Sequence, residues 1–228
     1  MDLTGTLGRR AFSGLARFTI AMALLVFLPG WSLRYWQGWA FLAVFCGACV
    51  ASTLYFLKHD PKLIERRMAA GASAEKEPTQ KIIMAITSVC FFLLIFIPVL
   101  DHRQHRSSVP AWLAIAGDAG IALSFFLVTL VLRQNSFAAA TIRVEANQPV
   151  ISTGAYAVVR HPMYAAALPM FVFIPLALDS YWGLLIVVAI LPALIWRLLD
   201  EERFLKINLP GYADYCRHVR FRLIPLLW

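Results

Sequence analysis

Apolar residues gather in six long blocks, at about residues 18–33, 38–57, 81–100, 109–132, 162–178 and 182–199, with polar segments between them. Each block is too long and too continuously apolar for a strand. A membrane crossing needs about 20 such residues, and a chain in lipid must satisfy its backbone internally, so the blocks predict transmembrane helices. The last two are short, are joined only by Asp179-Ser180-Tyr181 and carry Pro169, Pro175 and Pro192. They predict a tight helical hairpin, bent or broken by proline, with its tip facing away from the cytoplasm. The expected fold is all-α: a polytopic transmembrane bundle of about six spans, ending in that hairpin and a cytoplasmic amphipathic tail. Residues 1–132 form a four-helix N-terminal region, and 133–228 a C-terminal region of loop, hairpin and basic tail. Of the polar segments, Lys58–Gln80 predicts a short surface helix plus a loop, and 133–160 a loop leading into the hairpin.

Composition strengthens this picture. Hydrophobic residues make up 60% and charged residues 15% of the 228, with mean hydropathy +0.68, whereas soluble domains have about 45–50% and about 25%. A Rossmann domain is excluded, and little chain remains for any soluble domain. The net charge of +8 has to be read through topology first: of the 21 Lys and Arg, 18 fall on one side of the predicted spans and three on the other. The positive-inside rule then puts both termini in the cytoplasm of a multi-pass protein, expected in the inner (cell) membrane, and no nucleic-acid partner is needed to explain the charge. The first block follows a basic stretch, but Phe27-Leu28-Pro29-Gly30-Trp31 offers no small-x-small site, so a cleaved signal is not expected. Cys46, Cys49 and Cys90 lie in apolar blocks and Cys216 in the tail, which shows no disulfide framework.

Candidate chemistry concentrates near the cytoplasmic surface. In Arg160-His161-Pro162-Met163-Tyr164, the residue before proline is pushed out of helical geometry and proline favours the first helical position. His161 and Tyr164 therefore flank a helix N-terminus, whose free N–H groups suit a carboxylate or phosphate. Interfacial anchoring by Arg160, Tyr156 and Tyr164 accounts for the same residues. Farther on, Arg197 and Glu201 are four apart and share a helix face, whereas Glu202 points about 100° away. A solvated helix end with ion pairs is the alternative there. The aromatic and basic tail after Leu209 suits an anionic leaflet or packs beneath the bundle. Cys46-Gly47-Ala48-Cys49 reads as helix packing rather than redox chemistry, His102 and His105 lack partners for a metal site, so no metal is expected, and Asp118 is an intramembrane acid of unassigned role.

Together these motifs resemble the isoprenylcysteine carboxyl methyltransferase family of integral membrane enzymes. The residues that carry the likeness are Asn135, Val150 to Tyr156, Arg160 to Tyr164, Arg197, Glu201-Glu202 with Leu205, Tyr212 with Tyr215, and Val219 through Pro225. It covers about residues 133 to 228; the first four blocks match only as hydrophobic spans. The resemblance implies an S-adenosylmethionine pocket open to the cytoplasm, held by Gln148, Pro149, Val150, Ile151, Tyr156, His161, Pro162, Met163, Tyr164 and Glu201. It implies Arg197 near the acceptor carboxylate. The sequence departs from the common pattern at Leu209-Pro210-Gly211-Tyr212, where many members read Phe-Gly and then two residues before the tyrosine. That shortening bears on the register of Glu201 against Glu202.

The implied partners are membrane lipids and a lipophilic or lipidated acceptor. An acceptor carboxylate is ionised at pH 7, so methylation needs no general base, only alignment and a dry site. The competing functions are an NADPH-dependent sterol or lipid double-bond reductase, which needs a basic clamp for the ribose 2′-phosphate that Arg217, Arg220 and Arg222 could be misread as, a phospholipid amine N-methyltransferase, and a non-catalytic lipid-binding protein.

Overall fold

The computed structural model describes residues 3–75 and 77–228, and among these it contains helices and no strand. In chain order the helices are α1 (Leu3–Gly30), α2 (Trp36–His59), α3 (Pro61–Met68), α4 (Pro78–Gln104), α5 (Ala111–Leu132), α6 (Pro162–Ala177), α7 (Gly183–Asn208) and α8 (Tyr212–His218). The chain is an all-α polytopic bundle and a membrane protein. Five helices, α1, α2, α4, α5 and α7, are long and apolar enough to cross a membrane. The sixth predicted span, α6, has 16 residues and is about 24 Å long, short of a full hydrocarbon crossing.

Local sequence sets the helix ends. Asp60 closes α2 and caps α3 by accepting the Leu63 N–H at 3.1 Å, while Pro61, Pro78 and Pro162 occupy first-turn positions where no N–H is needed. Leu63 is fully buried against Phe56 of α2 and Leu132 of α5, which docks α3 beneath the bundle. The apolar core lies toward the opposite end, around Val26, Phe41, Phe45, Leu94, Val99, Ile121 and Ile174. A polar latch holds that end. Tyr35 donates to the Leu178 carbonyl at 2.6 Å, Asp179 accepts from Val109 N–H at 2.7 Å and contacts His102 at 2.8 Å, and Ser180 donates to Asp101 at 2.5 Å.

The predicted tight hairpin requires correction. The turn between α6 and α7 is short, but α6 packs chiefly on α5 and α7 on α4, and both helices run unbroken through Pro169, Pro175 and Pro192. Glycine explains the first pairing. A Cβ at Gly117 would lie 2.8 Å from the Ala177 backbone nitrogen, and one at Gly120 would run into the Phe173 ring, so α5 and α6 approach more closely than any larger residues permit. Because each helix has another partner, a cleft opens between α6 and α7 toward the end that carries α3 and α8.

Candidate active site

Residues 133–160 contain only a short 3-10 turn, Gly154–Ala157, and need other elements to hold them. The C-terminal tail supplies one support: Arg160 N–H donates to the Phe221 carbonyl and His161 N–H to that of Arg222, both at 2.9 Å. Helix α8 supplies another. Gly211, at φ +84°, makes the sharp turn from α7 that a side chain would strain. Leu209, Tyr212, Tyr215 and Val219 then pack against Val144, Val150 and Leu205, and Tyr215 donates to the Tyr156 carbonyl at 2.7 Å. The tail thus packs beneath the bundle. From the other direction α3 contributes Arg66, which grips Glu145 through two hydrogen bonds of 2.9 and 2.6 Å and the Ser136 carbonyl at 2.8 Å. The Arg66 guanidinium holds the Glu145 carboxyl below its usual range.

Between these supports lies a polar cavity. Gln148, Pro149, Val150, Ile151 and Tyr156 line one side of it, and His161, Pro162, Met163, Tyr164 and Glu201 another, so the structure brings all ten of these residues to one cavity. His161 precedes the first helical position, held by Pro162, and α6 presents its N-terminus to the space. Asn135 donates to the Tyr156 hydroxyl at 3.2 Å; burial pushes the pKa of Tyr156 up, and does the same for Tyr212 and Tyr215. Tyr212 also lines this cavity, and its buried hydroxyl has no hydrogen-bond partner among the described residues. A buried polar atom left open in this way suits a polar ligand.

Arg197 stands apart, on a second cavity of about 370 Å³ that is mainly apolar and opens between α6 and α7. Met84, Phe125, Leu168, Phe171 and Leu194 line it, and it shares Ala139, Thr141, Ile142, Met163, Tyr164 and Glu201 with the polar cavity. Arg197 and Glu201 do share a helix face, but the Tyr164 hydroxyl links them: it accepts from Arg197 Nε at 3.2 Å and donates to Glu201 at 2.8 Å. Arg197 Nη1 donates to Glu75 at 3.1 Å and Gln80 at 2.9 Å, and Nη2 to the Ala140 carbonyl at 3.1 Å. The protein therefore occupies four of its five N–H donors. Gln80 in turn donates to Asp200.

Glu202 is not the solvated helix-end charge that the sequence allowed. It does point away from Glu201, but its side chain is 3% exposed, with Arg160 Nε at 2.9 Å, Arg222 Nε at 3.2 Å, His161 Nε2 at 3.4 Å and Lys206 Nζ at 3.8 Å. Arg160 and His161 come from the loop and Arg222 from the tail, so Glu202 ties both to α7. Sequence reasoning also missed Glu75, Gln80 and Arg67. Glu75 sits in a charged run that reads as solvated loop, yet it is buried, with Arg197 on one oxygen and the Ile142 N–H on the other at 3.1 Å. For Arg67 a signal existed: on a helix docked by Leu63, positions three and four farther on share the inward face.

The possible NADPH clamp does not assemble. Arg222 is paired with Glu202, Arg217 is paired with Asp214 in solvent, and none of Arg217, Arg220 and Arg222 lines the polar cavity. Asp118 is buried in α5, and one of its carboxylate oxygens has no partner among the described residues. A family model described as phospholipid methyltransferase matches residues 112–209, from α5 to just past the end of α7. No curated protein matches the chain. The matched span contains Arg197, Glu201 and every lining residue of the polar cavity except Tyr212 and Tyr215.

Proposed function

We propose that the chain is an S-adenosylmethionine-dependent membrane methyltransferase whose acceptor is a lipophilic molecule, with a carboxylate of the isoprenylcysteine type as the group methylated. The observation that carries this reading is the shared wall of Met163, Tyr164 and Glu201 between a polar cavity and an apolar cleft. A polar donor and a greasy acceptor can meet there without either leaving its own solvent. The match to phospholipid methyltransferases over residues 112–209 supports membrane methyl transfer, and it favours a second reading in which the acceptor is a phospholipid amine.

The lining fits the donor. Glu201, with one oxygen committed to Tyr164, keeps the other for ribose hydroxyls or an adenine amine. The N-terminus of α6 beside His161 suits the carboxylate of the methionine end, and the unpaired Tyr212 hydroxyl lies in a residue that lines the same cavity. When bound, S-adenosylmethionine supplies an electrophilic methyl on a sulfonium. The chain's own tasks are to hold both partners in line and to exclude water, since opposite charges that vanish on methyl transfer react faster in a dry site. Arg197, held by Glu75, Gln80 and Ala140, fixes the Tyr164 hydroxyl and through it Glu201. An ionised carboxylate acceptor needs no base, whereas an ammonium acceptor must lose a proton, for which Glu201 is the carboxylate on the shared wall.

Thermal melts of the detergent-purified protein test the reading. S-adenosylhomocysteine is expected to raise the melting temperature and NADPH to leave it unchanged, because a ligand that binds only the folded state stabilises it by mass action. Stabilisation by NADPH alone would replace methyl transfer with the reductase. Radiolabelled methyl transfer to N-acetyl-S-farnesylcysteine and to phosphatidylethanolamine then separates the two acceptors.

A further inference from the structure

Arginines surround the junction of the two cavities, and all but one face a carboxylate. Arg66 pairs with Glu145, Arg160 and Arg222 with Glu202, and Arg197 with Glu75. The exception is Arg67. Among the described residues no acidic side chain pairs with it. Its Nη1 donates to the Ala138 carbonyl at a long 3.3 Å and lies 3.7 Å from the weakly accepting sulfur of Met163. Among the described residues its Nε and Nη2 have no hydrogen-bond partner, and its side chain lines the apolar cleft beside Met163, Tyr164 and Glu201.

The position is built into the fold. Leu63 docks α3 onto Phe56 and Leu132, and Arg67, one turn on, is carried inward with it. A guanidinium stays charged at any ordinary pH, and Arg67 is half-buried, so part of its hydration is lost with no counter-charge to replace it. Burial pulls its pKa below the usual arginine value, and the groups that act against that pull are the phenols of Tyr156 and Tyr164, which carry no charge near neutral pH. The Ala138 contact is poor compensation. An unneutralised cation with free donors, at the polar end of an apolar cleft, lacks an anion.

We propose that Arg67 receives the anionic group of the lipophilic acceptor, a carboxylate or phosphate at the end of an apolar chain lying in the cleft. The inference rests on the methyltransferase reading for the identity of that ligand as the acceptor. It assigns acceptor recognition to α3, outside the matched region, and leaves Arg197 as a positioning residue acting through Tyr164. The planar fork of Arg67 offers two neighbouring donors, the geometry that carboxylates and phosphates accept.

Thermal melts of the full chain in detergent test it, using wild type, Arg67→Gln and Arg67→Lys. The ligands are N-acetyl-S-farnesylcysteine for a lipid carboxylate, lysophosphatidylethanolamine for a lipid phosphate, and farnesol as the uncharged control. At least one of the two amphiphiles that carry an anionic group, the carboxylate or the phosphate of the zwitterionic lysolipid, is expected to stabilise wild type at lower concentration than farnesol does. In Arg67→Gln the concentration needed should rise about tenfold or more, the loss expected for a charged hydrogen bond, with partial recovery in Arg67→Lys. The arm that responds tells carboxylate from phosphate. Ligand-free Arg67→Gln should melt at or above wild type, because an unpaired charge is gone, and its affinity for S-adenosylhomocysteine should be unchanged. Equal response of wild type and Arg67→Gln to the anionic ligands would overturn the proposal. So would failure of both to outbind farnesol, or a ligand-free variant that melts lower and also loses S-adenosylhomocysteine. Wild type that binds an anionic amphiphile through Arg67 but not S-adenosylhomocysteine would leave the anion site standing and remove the methyl-donor reading.

Discussion

Glu201 and Glu202 are adjacent, yet their substitution by glutamine should separate binding from stability. Glu202 is 3% exposed and faces Arg160, itself buried, with Arg222, His161 and Lys206 around it. Removing one partner of a buried pair costs about 3–5 kcal/mol, because the charge left behind is uncompensated. Glutamine keeps the volume and one acceptor oxygen, and Lys206 and Arg222 reach solvent, so Glu202→Gln should sit at the low end, about 3 kcal/mol. For a chain of this length that lowers the melting temperature by roughly 6–12 °C. In Glu201→Gln the amide oxygen still accepts from Tyr164, so its melt should stay within about 2–4 °C of wild type. Its loss should appear in calorimetric binding of S-adenosylhomocysteine, weakened by about 1–3 kcal/mol, or roughly 5- to 150-fold. Binding is measured well below both melting temperatures. A Glu202→Gln protein that melts with wild type would refute the tie between α7, loop and tail. A Glu201→Gln protein that loses as much stability as Glu202→Gln would remove the division of roles.

Arg197→Lys gives up the contacts to Tyr164 and Ala140 while leaving a cation near Glu75, so stability should fall by about 1–3 kcal/mol, and S-adenosylhomocysteine affinity and methyl transfer should fall together because Tyr164 and Glu201 lose their support, as melts, calorimetry and turnover would show. Gly120→Val should cost about 1–3 kcal/mol or more in the same melts by overpacking against Phe173, whereas Gly47→Ala, with open space around it, should be neutral or stabilise by up to about 1 kcal/mol. Glu145 has a depressed folded-state pKa through its bond to Arg66, so that pair contributes stability above the ordinary glutamate pKa of about 4.3 and loses it as pH falls through the folded value; Arg66→Ala should flatten that acid limb of stability against pH. Reporter fusions at residue 145 and at the C-terminus should both report the cytoplasm if the 18-to-3 division of basic residues sets the topology, and an external signal from either would contradict it.

Sequence determined the helices because their causes are local. Block length and hydropathy mark α1, α2, α4, α5 and α7, and Pro61, Pro78 and Pro162 mark where helices begin. The stretch from Gln148 to Tyr164 announced a candidate site because its tyrosines, histidine and proline lie close together along the chain. Tertiary structure decided which helices pair. Hydropathy has no direction within a uniformly apolar helix, so the small residues at Gly117 and Gly120, rather than the short turn after α6, drew α6 onto α5 and opened the cleft. It also decided what each charge does. Glu75, Arg67 and Glu202 read alike as surface residues, since a charge run looks the same whether it meets water or a partner far along the chain. Glu75 meets Arg197 across more than a hundred residues, Glu202 gathers cations from loop and tail, and Arg67 is carried inward by Leu63 and meets no carboxylate. Burial of a charge depends on long-range packing and desolvation, which no local pattern encodes.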